Sequence, residues 1–194
     1  MEKRLLITGF EPFGGSAENP SWMAVSRLPE KIGGFTLRKC VLPTVFGEAA
    51  ERVLEEAQRF DPHVILCIGV AVGRGAITPE QVAVNIRDAR IADNGGKQPE
   101  DVPIAQDGPA AYFATVPVKA MVRAMQETGI SAAVSNTAGT FVCNDTFYLL
   151  LHHFSGTSTR VGFVHVPALP QQHEVSMSLE DIVSGLTAAI TACE

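Results

Sequence analysis

The sequence predicts an α/β protein: one three-layer α/β/α domain with a mostly parallel, twisted central sheet, spanning residues 1–194. Three observations carry this. Short apolar runs alternate with longer amphipathic ones, the pattern of strands joined by crossover helices. Val64-Ile-Leu-Cys-Ile68 is apolar throughout, as a strand covered on both faces must be. Loops rich in glycine and proline follow strand ends at 9–15, 69–75 and 93–108. Ligands of open α/β sheets bind outside the carboxyl ends of strands, so these loops are expected to converge on one site.

Along the chain, strands are predicted over residues 4–8, 36–42, 64–68, 81–86, 132–136 and 161–166, and helices over 20–28, 48–60, 116–128, 144–154 and 178–192. In the second helix Ala49, Val53, Ala57 and Phe60 recur at helical spacing, and Asp61-Pro62 ends it because proline cannot continue the ladder. Ser178 followed by Asp181 resembles a capping box with Asp in place of Glu.

With 194 residues, 46% hydrophobic and 19% charged, the chain is long enough for a substantial core and unlike a disordered one. A net charge of −6 argues against a general nucleic-acid binder. No apolar run reaches the length of a membrane span. The apolar start Leu5-Leu-Ile7 is far too short for a signal sequence and reads as the first strand of a cytoplasmic protein. The four cysteines, at 40, 67, 143 and 193, form no CxxC pair. Cys40 and Cys67 lie in strand-like runs as reduced core residues, while Cys193, near a terminus, is expected to be exposed.

The richest segment is Ser135-Asn-Thr-Ala-Gly-Thr-Phe-Val-Cys143 and the helix that follows. A thiol in the first turn of a helix sits in the positive end of the helix field, which favours the thiolate, and nearby backbone N–H groups can hold an oxyanion. The bland alternative is a small buried hydrophobe; Asn144, Asp145 and Thr146 speak instead for a helix start near the surface. Asp145 works against the thiolate unless it points away. Of five histidines, His152 and His153 fit a helix C-terminus, His63 a strand mouth and His173 a solvated loop. His165, at the carboxyl end of Val161-Gly-Phe-Val-His-Val166, is the general-base candidate, with a satisfied core histidine as the bland reading. Glu80 stands at the mouth of an alternating strand and can orient a histidine; a solvated charge is the plainer alternative. Gly9-Phe-Glu-Pro-Phe-Gly-Gly15 lacks the phosphate-loop pattern, and Glu11 repels anions; its two phenylalanines suit a small, flat, uncharged ligand. No motif indicates a metal or another cofactor.

Taken together these residues resemble the pyroglutamyl peptidase I family. Gly9-Phe-Glu-Pro-Phe-Gly-Gly15 with Asn19-Pro-Ser-Trp22 resembles its N-terminal signature; Gly73-Arg74, Thr78-Pro-Glu-Gln-Val-Ala-Val-Asn85 and Asp88-Ala-Arg-Ile-Ala-Asp-Asn94 its glutamate-bearing segment; Ala138-Gly-Thr-Phe-Val-Cys-Asn144 and Gly162-Phe-Val-His-Val-Pro167 its cysteine and histidine segments. The matches run in order through nearly the whole chain. The resemblance implies a cysteine omega-peptidase that removes N-terminal pyroglutamate, with Cys143 as nucleophile, His165 as base and acid, Glu80 as orienter and Arg90 aiding the oxyanion. It implies a lactam pocket walled by Phe10, Phe13, Phe141 and Val142, with Asn19, Thr44 and Ile91 around it and Val70 touching the ring through its main chain. It also implies a homo-oligomer, often a tetramer, acting on peptides without a cofactor. The chain departs from the pattern at Val70, where many members carry glutamine, and at Gln81, which replaces a common arginine; the loop before Ser178 is somewhat short. Two rivals stand beside this reading: a nucleoside-phosphorylase-like protein, which needs a phosphate site, and a catalytically silent binding module.

Overall fold

The computed structural model describes residues 3–194. In chain order the elements are β1 (Lys3–Phe10), α1 (Pro20–Arg27), β2 (Lys31–Ile32), β3 (Phe35–Leu42), α2 (Glu48–Phe60), β4 (Val64–Val70), β5 (Thr78–Pro79), β6 (Val82–Val84), β7 (Ala111–Phe113), α3 (Val118–Glu127), α4 (Val142–His153), β8 (Arg160–Val166) and α5 (Leu179–Thr191). The six-stranded sheet has the order β2-β3-β1-β4-β8-β5. Its four inner strands are parallel, and the two short edge strands are antiparallel.

Alternation along each inner strand divides the core in two. Leu5, Ile7, Leu66, Ile68 and Val164 pack with α1, α3 and α5. Leu6, Ile65, Cys67, Val161 and Phe163 pack with α2 and α4 on the opposite face. Both faces being covered explains why β4 carries no polar side chain. Gly9 allows α1 to ride close on β1, since a Cβ there would lie 2.6 Å from the Trp22 Cα.

Most predicted elements form close to where the sequence places them. In α2, Ala49, Val53 and Ala57 are buried, and Asp61 closes the helix in the left-handed region at φ 49°. Ser178 caps α5 by accepting from the Asp181 N–H at 3.1 Å.

Three expectations change. Residues 81–86 do not join the main sheet; only β6 is extended, and it pairs with β7 in a separate two-stranded sheet. Residues 132–136 form isolated bridges to Ile77 and Glu80 rather than a strand. Cys193 is fully buried against Ala189, because the last turn of α5 folds onto the core. Among the described residues, no helix is long and apolar enough to cross a membrane.

Candidate active site

The turn at 137–140 precedes α4 and is held by local polar bonds. Gly139 takes φ 77°, and its N–H donates to Thr137 Oγ1 at 3.1 Å. Phe141 is the N-cap, which places Cys143 at the second helical position, partly open to solvent. Its neighbours lock the helix down. Asn144 is fully buried; its amide donates to the Val84 and Ile86 carbonyls at 2.9 and 3.1 Å and accepts from the Val84 N–H at 3.0 Å. Asp145 points away from the thiol, accepting from Arg87 Nε at 2.6 Å and the Gly47 N–H at 2.8 Å. The ambiguity over Asp145 is thereby resolved in favour of a structural clasp.

His165 lies near the end of β8, only 4% exposed. Thr78 and Pro79 pair antiparallel with His165 and Val164, and the Glu80 N–H continues that ladder to the Phe163 carbonyl at 2.8 Å. This register carries Glu80, fully buried, to His165: Oε1 lies 2.7 Å from Nδ1. Arg74 reaches the same oxygen at 2.8 Å. From the sequence it has no assigned role, standing only within the Gly73-Arg74 motif of the glutamate-bearing segment.

The Cys143 thiol does not behave as a helix N-terminus alone predicts. Burial first, and then the Glu80 carboxylate, push it up to about 12, against the pull of its own backbone N–H and of Arg74. In the ligand-free chain these surroundings favour the neutral thiol over the thiolate.

The expected pocket residues divide. Phe13, Asn19, Val70 and Ile91 line one hollow of about 320 Å³ together with Val72 and Gln172. Phe141 is partly exposed and sits 6.2 Å, centroid to centroid, from Phe13. Phe10 and Val142 lie in the core beneath, Phe10 against Phe163 at 6.2 Å. Thr44 is also buried, bonded through its N–H and hydroxyl to Glu11. Asn19 caps α1 through Ser21 and donates to the Glu11 carbonyl at 3.0 Å. Arg90 is exposed and forms no ion pair with the cluster, but Asp88, two residues earlier, donates its N–H to the Thr140 carbonyl at 3.0 Å and accepts from the Thr140 hydroxyl at 2.7 Å, in the turn before α4.

The loops converge only in part. Segments 9–15 and 69–75 meet at the hollow, and Asn94 ties to Glu11 and Pro12, whereas Ala105 and Gly108 turn away to Asn85. Neither this hollow nor a larger one of about 400 Å³ beside α3, lined by Phe113, Lys119 and Arg123, is lined by Cys143, His165, Glu80 or Arg90. Among the described residues no group of three or more His, Cys, Asp or Glu is placed to hold a metal.

Comparison with known proteins agrees with this geometry. The family model described as Pyroglutamyl peptidase matches residues 3–194. The pyrrolidone-carboxylate peptidase of Bacillus licheniformis is 48% identical, covering 97% of this chain and 91% of the relative. That of Clostridium perfringens is 47% identical over 97% and 92%. The crystal structure of Bacillus amyloliquefaciens pyroglutamyl peptidase I superposes with a TM-score of 0.95 at 44% identity, covering 99% of this chain and 97% of that one. The pyrrolidone carboxyl peptidase from Thermococcus litoralis gives 0.94 at 36% identity, with coverage of 98% and 93%. With the family model and these relatives spanning almost its whole length, the chain belongs to the pyroglutamyl peptidase family.

Proposed function

We propose that the chain is a cysteine omega-peptidase that removes an N-terminal pyroglutamyl residue from peptides. The observation that carries this is the His165–Glu80 pair at 2.7 Å, buried at the end of β8, in a chain whose first helical turn of α4 presents Cys143. Pyroglutamate has its amine closed into a neutral lactam, so no ammonium is available to anchor. The Phe13 and Phe141 faces suit such a ring, and main-chain groups near Val70 suit its amide edge. A ring lacking the lactam carbonyl, such as proline, leaves buried partners unpaired; discrimination of this kind reaches about 10⁴–10⁵.

In this reading the thiol proton passes to His165 as sulfur attacks the carbonyl beyond the ring. The oxyanion meets N–H groups at the start of α4, with Arg90 as an additional cation; one such donor contributes roughly 3–4 kcal/mol. The C–N bond then breaks, His165 returns the proton to the departing amine, and water activated by the same imidazole hydrolyses the thioester.

We further take residues 1–194 to form one catalytic domain, working in the cytoplasm as a homo-oligomer, a tetramer by family resemblance. Phe113, 69% exposed on β7, supports a surface that another copy covers. Light scattering should then read four times the 20.7 kDa chain.

The deciding experiment is release of a fluorogenic amine from its pyroglutamyl amide under reducing conditions. Wild type should turn over, Cys143→Ala should not while staying folded, His165→Ala should lose nearly as much, and Glu80→Gln less. Turnover by Cys143→Ala would remove the proposed nucleophile. Phosphate-dependent nucleoside cleavage would favour the phosphorylase rival, and ligand binding by a folded but inactive wild type the silent module.

A further inference from the structure

We propose that Arg74 is a positioning residue for the same reaction: it fixes Glu80 as the acceptor for His165 and clamps the chain leading to Cys143 against that acceptor. The inference rests on the peptidase reading and extends it to a fourth member of the cluster.

Glu80 is fully buried, and its two oxygens are unequal. Oε1 carries both bonds, from His165 at 2.7 Å and Arg74 at 2.8 Å, while Oε2 is buried without a partner. A buried carboxylate is costly to keep ionised unless a charge offsets it. Among the described residues Arg74 is the one permanent cation on it. The guanidinium also reaches Thr78 Oγ1 at 2.8 Å, Ser135 Oγ at 3.3 Å and the Thr137 carbonyl at 3.2 Å. One side chain thus joins three segments: the glutamate, the strand register that delivers it, and the turn that opens α4. The fork of the guanidinium suits this, since a lysine brings the charge without two separated nitrogens.

The charged and titratable groups facing the cluster are Arg74 and Glu80 from the 70–80 segment, His165 from β8, Cys143 from α4 and Cys67 from β4. Arg74 makes the Arg–Glu pair neutral, so a proton arriving on His165 meets a carboxylate already fixed in charge and direction. Without it, the buried carboxylate has no offsetting charge and no second bond to hold its direction, and the histidine loses a fixed acceptor.

The test compares wild type, Arg74→Met, Arg74→Lys, Glu80→Gln and the double variant Arg74→Met/Glu80→Gln on the pyroglutamyl amide. Arg74→Met should lower kcat by about 10–100-fold with little change in KM, as misplacement of a catalytic group does. Arg74→Lys, which keeps the charge but not the fork, should recover part of kcat. Because Arg74 acts largely through Glu80, removing it from the Glu80→Gln background should cost less than removing it from wild type, so the two losses should fall short of multiplying.

A wild-type kcat in Arg74→Met, or losses that multiply in the double variant, would overturn the inference. If Arg74→Met does not fold, Arg74→Lys decides: several-fold lower kcat at unchanged KM supports the assignment, and unchanged kcat sinks it. Wild type without turnover removes the peptidase reading itself, which an active wild type with insensitive Arg74 variants does not.

Discussion

The Cys143 thiol feels two opposing influences. A thiol in the first turn of a helix gains from the helix field, an effect of about 0.3–1 kcal/mol at an exposed end. Burial and the Glu80 carboxylate outweigh it, holding the thiol up at about 12. Alkylation of Cys143 by iodoacetamide should therefore accelerate by about ten-fold per pH unit from about pH 7.5 to about pH 9.5, because reactivity follows the thiolate fraction. A plateau reached by about pH 8 would instead mean that an imidazole already holds the proton at rest. The placement of Cys143 at a helix start and of His165 near a strand end was legible from local context. Arg74 was not, because its partners Glu80, Ser135 and Thr137 lie up to 63 residues away.

At the scale of elements, α4 packs on β6 through the apolar cluster around Ala83 and is tied to it by Asn144. That buried side chain forms three bonds to the Val84 and Ile86 backbone, and these help set how far the helix carrying Cys143 stands from the segment carrying Glu80. Each such bond contributes about 1 kcal/mol net. Asn144→Ala should lower unfolding stability by about 2–4 kcal/mol, since it also strands backbone groups that the amide satisfied. Denaturant melts should show the loss, with kcat falling alongside it; an unchanged melt would mean that the helix is placed by its apolar face alone. The separate β6–β7 sheet was hidden in the sequence for a related reason. Residues 81–86 alternate as a strand does, but alternation does not name the partner, and β7 is only three residues long. The bridges at 132–136 are too isolated to imprint an apolar period.

Across the whole molecule, the buried thiols link stability to alkaline pH. Cys67 is held up at about 12 and Cys193 at about 11 by burial, against an ordinary value of 9.0. The folded chain keeps these thiols protonated while the unfolded chain releases their protons above pH 9. Their contribution is thus intact below about pH 9 and is lost as pH rises beyond it, at about 1.4 kcal/mol per pH unit for each such group. Denaturation midpoints should fall from about pH 8.5 to about pH 10.5, and Cys67→Ala should flatten that slope by one group's share; an equal slope in the variant would refute the linkage. The sequence alone determined the α/β class, both faces of β4, the bounds of α2 and α5 to within a residue, and the placement of Cys143 at a helix start and His165 near a strand end. These depend on periodicity and turn chemistry, which act over a few residues. Only the tertiary structure decided that Glu80 meets His165, that Arg74 joins them, that Asp145 turns away, and that the thiol is held neutral. Those depend on strand register, burial and field, which arise when distant segments close around one another and exclude water.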